Sequence, residues 1–396
     1  MRVGNIQAAL AVAGFMGAGA AGAARADDLV LAPPSWQLGD AELRLAGDAG
    51  GAVFGPGQPG RSGAQVSGAL RLMPQIRRDY DSGLSLSLAG TFTAADPLSR
   101  GRYDGDVIEK LAAQARTGLG TLAVGITDGA GYALAVTGPK ADADVALEDA
   151  RTTFFRDPTT HRAVDQMFAL RTEVGASSNY AKFVYTSPLL FGAQLALSFT
   201  PTEGKQLPFL NAGPHVAGRQ ADFWEAAIKY EDELGPVSLS GYAAISESRT
   251  EHKLPGQEGT SDLGAGLRAD YPLTEEVALS LGGSFRQSNA YGFDVNQSWQ
   301  AGTTRAGHVS GGVRYNAWNG TVEYGTGIAD AVAALPRLGL NGWETAVSYR
   351  VSPSVLVSGG WQKLDYSRSN GAFFNGSPQL KMDVVFIHLK LQTSEQ

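Results

Sequence analysis

The chain has 396 residues, a formal net charge of −7, no cysteine, 51 glycines and 18% charged residues. Its charged fraction is below the roughly 25% of typical soluble domains, and its glycine content is well above the usual ~7%. Disulfides and cysteine-ligated metal centres are excluded, and 13 Tyr, 16 Phe and 6 Trp exclude a disordered chain. The acidic balance also excludes a nucleic acid partner held by phosphate neutralisation.

The first 26 residues are typical of a cleaved export signal. They combine a positive start at Arg2, an apolar run over Ala8–Ala24 and an A-x-A sequence that ends at Ala26. A membrane anchor is the alternative, but the run is short and consists mostly of small residues. We therefore predict a signal peptide at 1–26 and a single mature domain at 27–396. Removal of two arginines with the signal takes the charge from −7 to −9.

The mature sequence repeatedly alternates apolar residues with small or polar ones. No stretch after residue 26 reaches the ~18 consecutive apolar residues of a membrane helix. Alternation over about ten residues is instead typical of barrel strands, with one face toward hydrocarbon and one toward water. Clear apolar rows, read at every second residue, occur in Leu84–Phe92, Phe191–Phe199, Val237–Ile245, Val277–Phe285 and Trp343–Tyr349. The pattern predicts an all-β transmembrane antiparallel barrel.

The connections between these segments alternate in length, which sets the strand count. Short turns are predicted at Asp79–Gly83, Arg116–Gly120, Ser187–Leu190, Glu231–Gly235, Tyr271–Glu275, Asn316–Gly320 and Arg350–Ser354. Longer polar loops are predicted at Asp48–Arg61, Ala94–Asp106, Asp128–Ser178, Pro201–Gln220, Glu247–Ser261, Gln287–Thr304, Ile328–Leu340 and Tyr366–Ser377. Seven turns and eight loops join 16 strands, with the turns in the periplasm and the loops outside. A barrel of this width retains an aqueous channel.

Three segments carry a resemblance to a known family. Gly118-Leu-Gly-Thr-Leu-Ala-Val-Gly125 resembles the strand before the third loop of Gram-negative general-diffusion porins. Asn179-Tyr-Ala-Lys-Phe-Val-Tyr-Thr-Ser-Pro188 and Phe191-Gly-Ala-Gln-Leu195 are similar to their next hairpin. The resemblance implies a 16-stranded barrel, usually a homotrimer, whose third loop folds into the lumen. The chain departs from the family in lacking a terminal aromatic residue and a Pro-Glu-Phe-Gly-Gly type signature in that loop.

The third loop, Asp128–Ser178, is the longest connection and demands a functional reason. We interpret it as a constriction loop whose acidic side chains oppose basic side chains on the wall and set up a transverse field. The alternative is that these charges are solvated surface, and Ala141–Arg151 could form a short helix. The acidic candidates are Asp142, Asp144, Glu148, Asp149 and Asp157. The basic wall candidates, from period-2 counting, are Arg44, Arg71, Lys110, Arg268, Arg286 and Arg314.

The sequence thus predicts an outer-membrane porin for passive diffusion of small hydrophilic solutes and ions, with mild cation selectivity from the net charge. A substrate-selective channel for sugars or organic anions is the alternative, and a barrel enzyme is a weaker one. Gly118-x-Gly120-x-x-Ala123 and Gly264-x-Gly266-x-x-Ala269 match a dinucleotide fingerprint only formally, since each leads into a strand. We expect no cofactor and no metal. The expected partners are outer-membrane lipids, lipopolysaccharide, the solutes and two further copies of the chain.

Overall fold

The structure is a computed structural model that describes residues 29–55, 64–95, 107–147, 170–177, 180–203, 218–290, 301–332, 336–373 and 376–394. Within these ranges the chain forms one short helix, α1 (Ala130–Ala133), and seventeen β-strands. The first nine strands are β1 (Ser35–Leu38), β2 (Ala41–Phe54), β3 (Gln65–Asp79), β4 (Ser85–Ala95), β5 (Ile108–Thr117), β6 (Gly120–Ile126), β7 (Ala181–Thr186), β8 (Ala193–Thr202) and β9 (Gln220–Leu234). The others are β10 (Val237–Thr250), β11 (Ser261–Pro272), β12 (Val277–Ala290), β13 (Ala301–Tyr315), β14 (Trp318–Ala329), β15 (Leu338–Ser352), β16 (Val355–Arg368) and β17 (Gln379–Gln392).

Strands β2 to β17 close into a barrel. Each pairs antiparallel with the next, and β17 pairs back onto β2 from Phe386 opposite Phe54 to Gln392 opposite Asp48. The predicted 16-stranded antiparallel barrel is therefore confirmed. The structure adds β1, which pairs with the start of β2. Since β17 ends opposite Asp48, the first residues of β2 would otherwise be an open edge with unpaired backbone groups.

The predicted alternation of short and long connections is also confirmed. Tight turns join β3 to β4, β5 to β6, β7 to β8, β9 to β10, β11 to β12, β13 to β14 and β15 to β16, and the longer loops lie at the opposite end. Gly120 and Gly192 stand at two of these turns with φ of 128° and 79°. A side chain at either would collide with the backbone carbonyl of a neighbouring strand, Thr186 or Glu231. The described part of the chain contains no helix long and apolar enough to cross a membrane.

The two faces of the wall differ in side-chain chemistry. The outward face carries large apolar residues such as Leu281 and Ile387, which are 64% and 62% exposed. Outward aromatic pairs stack across neighbouring strands, with ring centroids 4.6 Å apart for both Trp318–Tyr349 and Tyr324–Trp343. Such aromatic belts are typical of the levels at which a barrel crosses the two membrane interfaces.

The inward face is not polar throughout, in contrast to the expectation of a uniformly water-facing interior. On β15 to β17 it carries Leu340, Leu364 and Met382, all of which are fully buried. They form one apolar cluster with Leu147 and Leu170 of the third loop. The simple alternation rule fails here because this part of the inner wall faces folded chain and not water.

Candidate functional site

The third loop begins and ends at a single carboxylate on the inner wall. At its start, the backbone N–H of Gly131 in α1 donates to Glu225 Oε2 over 3.3 Å. At its end, the N–H of Ser177 donates to Glu225 Oε1 over 3.2 Å. The buried Lys182 ammonium also donates to Ser177 Oγ over 2.8 Å. Glu225 on β9 therefore fixes both ends of the loop inside the barrel.

Between these ends the described part of the loop runs along the inner wall, where side chains of three strands donate hydrogen bonds to its carbonyl groups. Ser310 on β13 donates to the Pro139 carbonyl over 2.8 Å. Ser348 on β15 and Gln362 on β16 donate to the carbonyls of Ala141 and Val145 over 2.8 and 2.7 Å, respectively. A buried loop needs partners of this kind because its backbone groups have left water. The predicted inward fold of the third loop is confirmed.

Inward-facing glycines form the surface on which this loop lies. The set comprises Gly264, Gly266, Gly282, Gly325 and Gly342 on β11, β12, β14 and β15. A Cβ at Gly342 would lie 2.7 Å from Cδ1 of Leu147, and one at Gly264 would lie 2.7 Å from Cγ2 of Val174. Any side chain at these positions would hold the loop away from the wall. The two glycines of the Gly264-x-Gly266-x-x-Ala269 pattern are therefore part of this glycine surface.

Asp142 fixes the far side of the loop. Its carboxylate is 3% exposed, lies 2.6 Å from His388 Nδ1 on β17, and accepts a hydrogen bond from the Ser358 hydroxyl on β16. The Asp144 N–H donates to it over 2.9 Å. Burial by itself would raise the pKa of Asp142, but the hydrogen bond and charge of His388, with the other two donors, hold it below the usual 3.8. The carboxylate thus serves as an anchor in its charged form.

Asp144 extends this anchor to the first strands of the barrel. It lies 2.8 Å from Lys390 Nζ on β17 and 4.0 Å from Arg71 Nη2 on β3, while Arg71 Nε donates to Asp48 over 2.9 Å. The side chains of Asp142 and Asp144 therefore face the wall and not open solvent. The remaining acidic candidates Glu148, Asp149 and Asp157 lie outside the described residues. A short helix was one possibility for Ala141–Arg151, and the described part of that segment, 141–147, forms turns and bends instead.

The strand register places all six basic candidates on the inward face. Lys110 Nζ lies 2.6 Å from Asp128 Oδ2 at the entry to the third loop. Arg268 forms an ion pair with Asp270 at 2.8 Å and keeps 38% of its side chain exposed. Arg44 is half-buried, and Arg314 is exposed. Arg286 differs, because it is 2% exposed and donates from Nε to Asp262 over 2.9 Å. It lies in a buried ion pair and not on an open surface.

The described residues of the third loop do not cover the inner wall of β2 to β6 along most of its length. Among the described loop residues, Lys140, Arg171 and Glu173 keep accessible side chains, and Lys140 Nζ lies 3.9 Å from Glu173 Oε1. Among the inward side chains of β2 to β6, Arg44 is half-buried and Arg116 is exposed. A passage bordered by charged loop residues on one side and basic wall residues on the other can admit small hydrated solutes.

Sequence reasoning missed the anchors Glu225, Ser358, His388 and Lys390, as well as the glycine surface. The sequence did contain a signal for the glycine surface. On β11 to β15 every second residue faces inward, and at neighbouring positions of successive strands these inward residues are small or carry a hydroxyl group. In the described ranges, no group of three or more His, Asp or Glu side chains is arranged to hold a metal ion.

The closed barrel, its aromatic belts and its inward-folded third loop define the class of outer-membrane β-barrel channels. A family model described as Gram-negative porin matches residues 8–370. The chain belongs to the Gram-negative porin family. No curated protein matches.

Three solved structures illustrate the likeness in fold. The chain is similar to an anion-selective porin from Comamonas acidovorans, with 12% identity, a TM-score of 0.56 and coverage of 89% of this chain and 99% of that one. The chain is also similar to the outer membrane channel DcaP of Acinetobacter baumannii, with 11% identity, a TM-score of 0.56 and coverage of 91% of this chain and 100% of that one. For the trimer form of OmpT, an outer membrane protein of Vibrio cholerae, the identity is 8%, the TM-score is 0.55, and the coverage is 89% of this chain and 100% of that one. At these identities the structures support the shared barrel fold.

Proposed function

We propose that this outer-membrane porin forms a water-filled channel through which small hydrophilic solutes and ions diffuse passively, without catalysis. The observation that carries the proposal is the asymmetric lumen. The described parts of the third loop are fixed along one side of the inner wall, and accessible polar side chains line β2 to β6 on the other side. A barrel of sixteen strands is too wide for its own side chains to fill. The fixed loop narrows the passage without closing it.

We propose mild cation preference from the net charge of −7, which becomes −9 if 1–26 is a removed signal peptide. In this proposal the acidic residues of loop 128–178 contribute to the constriction, and the basic wall residues face them. Asp142 and Asp144 contribute mainly by holding the loop, because their charges are already paired with His388 and Lys390.

The second candidate is a channel selective for organic anions. The observation that favours it is a set of basic side chains that face the lumen, with Arg44 and Arg116 on β2 and β5 and Arg314 and the paired Arg268 on β13 and β11. These groups would raise the local concentration of anionic solutes. A carboxylate-bearing solute could also bind to an arginine through two hydrogen bonds.

Planar-bilayer recording with the purified full-length protein tests both proposals. Passive diffusion predicts stepwise conductance that is linear in salt concentration, with a reversal potential of cationic sign in a KCl gradient. An anion-selective channel predicts the opposite sign and a current blocked by small dicarboxylates. Absence of conductance from correctly folded protein would contradict both. We further propose that the protein assembles as a homotrimer in contact with outer-membrane lipid and lipopolysaccharide.

A further inference from the structure

Two inward carboxyl groups lie beneath the third loop and take no part in the anchors described above. Glu323 on β14 and Glu344 on β15 are directly opposite each other in the strand register, and each is 1% exposed. Leu147 and Leu170 of the loop pack against the glycines at the next inward positions of both strands. Like charges at directly opposite positions of an antiparallel pair are unfavourable, and burial strengthens their repulsion. The two groups therefore cannot both carry a negative charge without a compensating cation.

The immediate partners of the two carboxyl groups differ in charge. His308 Nε2 on β13 lies 3.1 Å from Glu323 Oε2, so this carboxylate has a basic partner. Glu344 Oε2 accepts a hydrogen bond from the neutral amide Nε2 of Gln362 over 2.6 Å. Glu344 Oε1 is buried and has no hydrogen-bond partner in the described part of the chain. A buried carboxylate that lacks a cation is costly, and such a group takes up a proton instead.

The wider surroundings supply no cation for Glu344 either. In the described ranges, the charged and titratable groups that face it from the elements packed against it are His308 on β13, Glu323 on β14, Lys140 and Asp142 in the loop, and His388 on β17 behind Asp142. Both histidines already pair with another carboxylate. Lys140 Nζ lies 3.9 Å from Glu173 Oε1 at the accessible side of the loop. A negative charge on Glu344 would thus face two carboxylates and no cation of its own.

Glu344 is one hydrogen-bonded group away from the loop backbone. Gln362 Nε2 donates both to Glu344 Oε2 and, over 2.7 Å, to the carbonyl of Val145. The carboxyl group and the loop carbonyl therefore share one amide nitrogen. With Glu344 neutral, this amide serves both acceptors. Loss of the proton would place a full negative charge close to the carbonyl oxygen of Val145 and opposite Glu323.

We infer that Glu344 is a proton-binding site, occupied at neutral pH, and that loss of its proton at alkaline pH loosens the third loop. The proton passes to water, and the carboxylate that remains is repelled by the Val145 carbonyl oxygen and by Glu323. The Asp142 anchor weakens at acidic pH, where its carboxylate takes up a proton. The two groups thereby confine the docked loop to a window of pH. Any effect on conductance rests on the proposed channel function, whereas the proton site itself does not.

Infrared difference spectroscopy of the purified protein tests for the proton directly. Wild type minus Glu344→Gln should show the carbonyl band of a protonated carboxylic acid at neutral pH. The band should disappear by about pH 10, above the range in which buried carboxyl groups without a cation lose their protons. The glutamine keeps an acceptor for Gln362 and has no acidic proton. Glu276→Gln, an exposed position in the β11–β12 turn, is the matched control and should leave the acid band in place.

Two outcomes of this measurement would overturn the inference. The first is a wild type without an acid band at neutral pH. The second is a band that Glu323→Gln removes and Glu344→Gln leaves unchanged. Circular dichroism reports whether each variant is folded. If Glu344→Gln does not fold, the spectrum of the wild type at neutral pH minus that at alkaline pH contains the same band and decides the question.

Labelling of a cysteine in the loop tests the consequence of proton loss. Val145 is 1% exposed and the natural chain has no cysteine, so Val145→Cys supplies a single buried thiol. At alkaline pH a water-soluble methanethiosulfonate should label it about tenfold faster than the same thiol combined with Glu344→Gln, because labelling of a buried thiol requires local opening. The two proteins should react equally at neutral pH. Comparison at one pH cancels the ionisation of the thiol itself, and equal rates at alkaline pH would contradict the loosening.

Single-channel recording separates this inference from the proposed function. Wild-type conductance should fall at alkaline pH as the loop moves toward the open wall, and that of Glu344→Gln should fall much less. An equal fall in both proteins would contradict the assigned role of Glu344. Protein that shows the acid band and the labelling difference but does not conduct would contradict the channel and still support the proton site.

Discussion

The inner walls of β8 to β17 and of β2 to β6 belong to one barrel but have opposite characters. The first is covered by the third loop and presents glycines, hydroxyl groups and buried ion pairs to it. The second is largely uncovered by the part of the loop that the structure describes, and it presents arginines and polar side chains to the lumen. The difference shows that side-chain size on the inward face determines where the loop lies, and thereby where the passage remains. Four predictions address this division.

The largest effect is expected from His388→Ala, which removes the partner of the buried Asp142 carboxylate. A buried charged group that loses a hydrogen-bond partner costs more than the about 1–3 kcal/mol of a neutral one, and here that cost falls on the attachment of the loop. Amide hydrogen exchange of 130–147 should accelerate strongly in the variant. Unchanged exchange in that segment would show that the anchor contributes little.

The same anchor should respond to pH in a defined direction. Since the pKa of Asp142 is lowered in the folded protein, its contribution is complete above the ordinary value of 3.8 and is lost as pH falls through the lowered value. Loop exchange in the wild type should therefore rise below about pH 4, relative to the intrinsic rate. The His388→Ala variant should show a much smaller rise.

A smaller effect is expected from Gly342→Leu on the glycine surface. The new side chain would occupy the positions of Leu147 and Leu170, and overpacking of this kind costs typically about 1–3 kcal/mol. The loop should move toward the open wall, so single-channel conductance should fall. Gly311→Leu is the control, because its Cβ faces outward with nearest neighbours at 3.9 Å. Equal conductance in the two variants would argue against the glycine surface as the determinant of loop position.

The smallest effect is expected on the open wall, from Arg116→Gln. Its side chain is exposed, and interactions between solvent-exposed charges are weak and screened by salt. Removing one positive charge should shift the reversal potential slightly toward cations without changing stability. The shift should be larger at low ionic strength. Arg286→Gln tests the contrast, since loss of this buried partner of Asp262 should lower stability instead.

Much of the fold could be predicted from the sequence because its signals are local. Alternation with period two follows from the geometry of a single strand, so Leu281 could be assigned to the outer face without knowledge of its neighbours. Turn residues such as Gly120 and Gly192 mark hairpin ends for equally local reasons. Strand number, connection lengths and the inward parity of the basic residues all followed from these two kinds of signal.

The positions of the loop side chains depend on contacts between residues far apart in the chain, and only the tertiary structure decided them. Asp142 is an acidic loop residue by sequence, but its partner His388 is 246 residues away and reaches it only when the barrel closes. Leu340 and Met382 obey the alternation and yet face a buried cluster, because the loop covers them. Local geometry assigns a residue to one side of a strand, whereas the chain that packs against that side is determined by the whole fold.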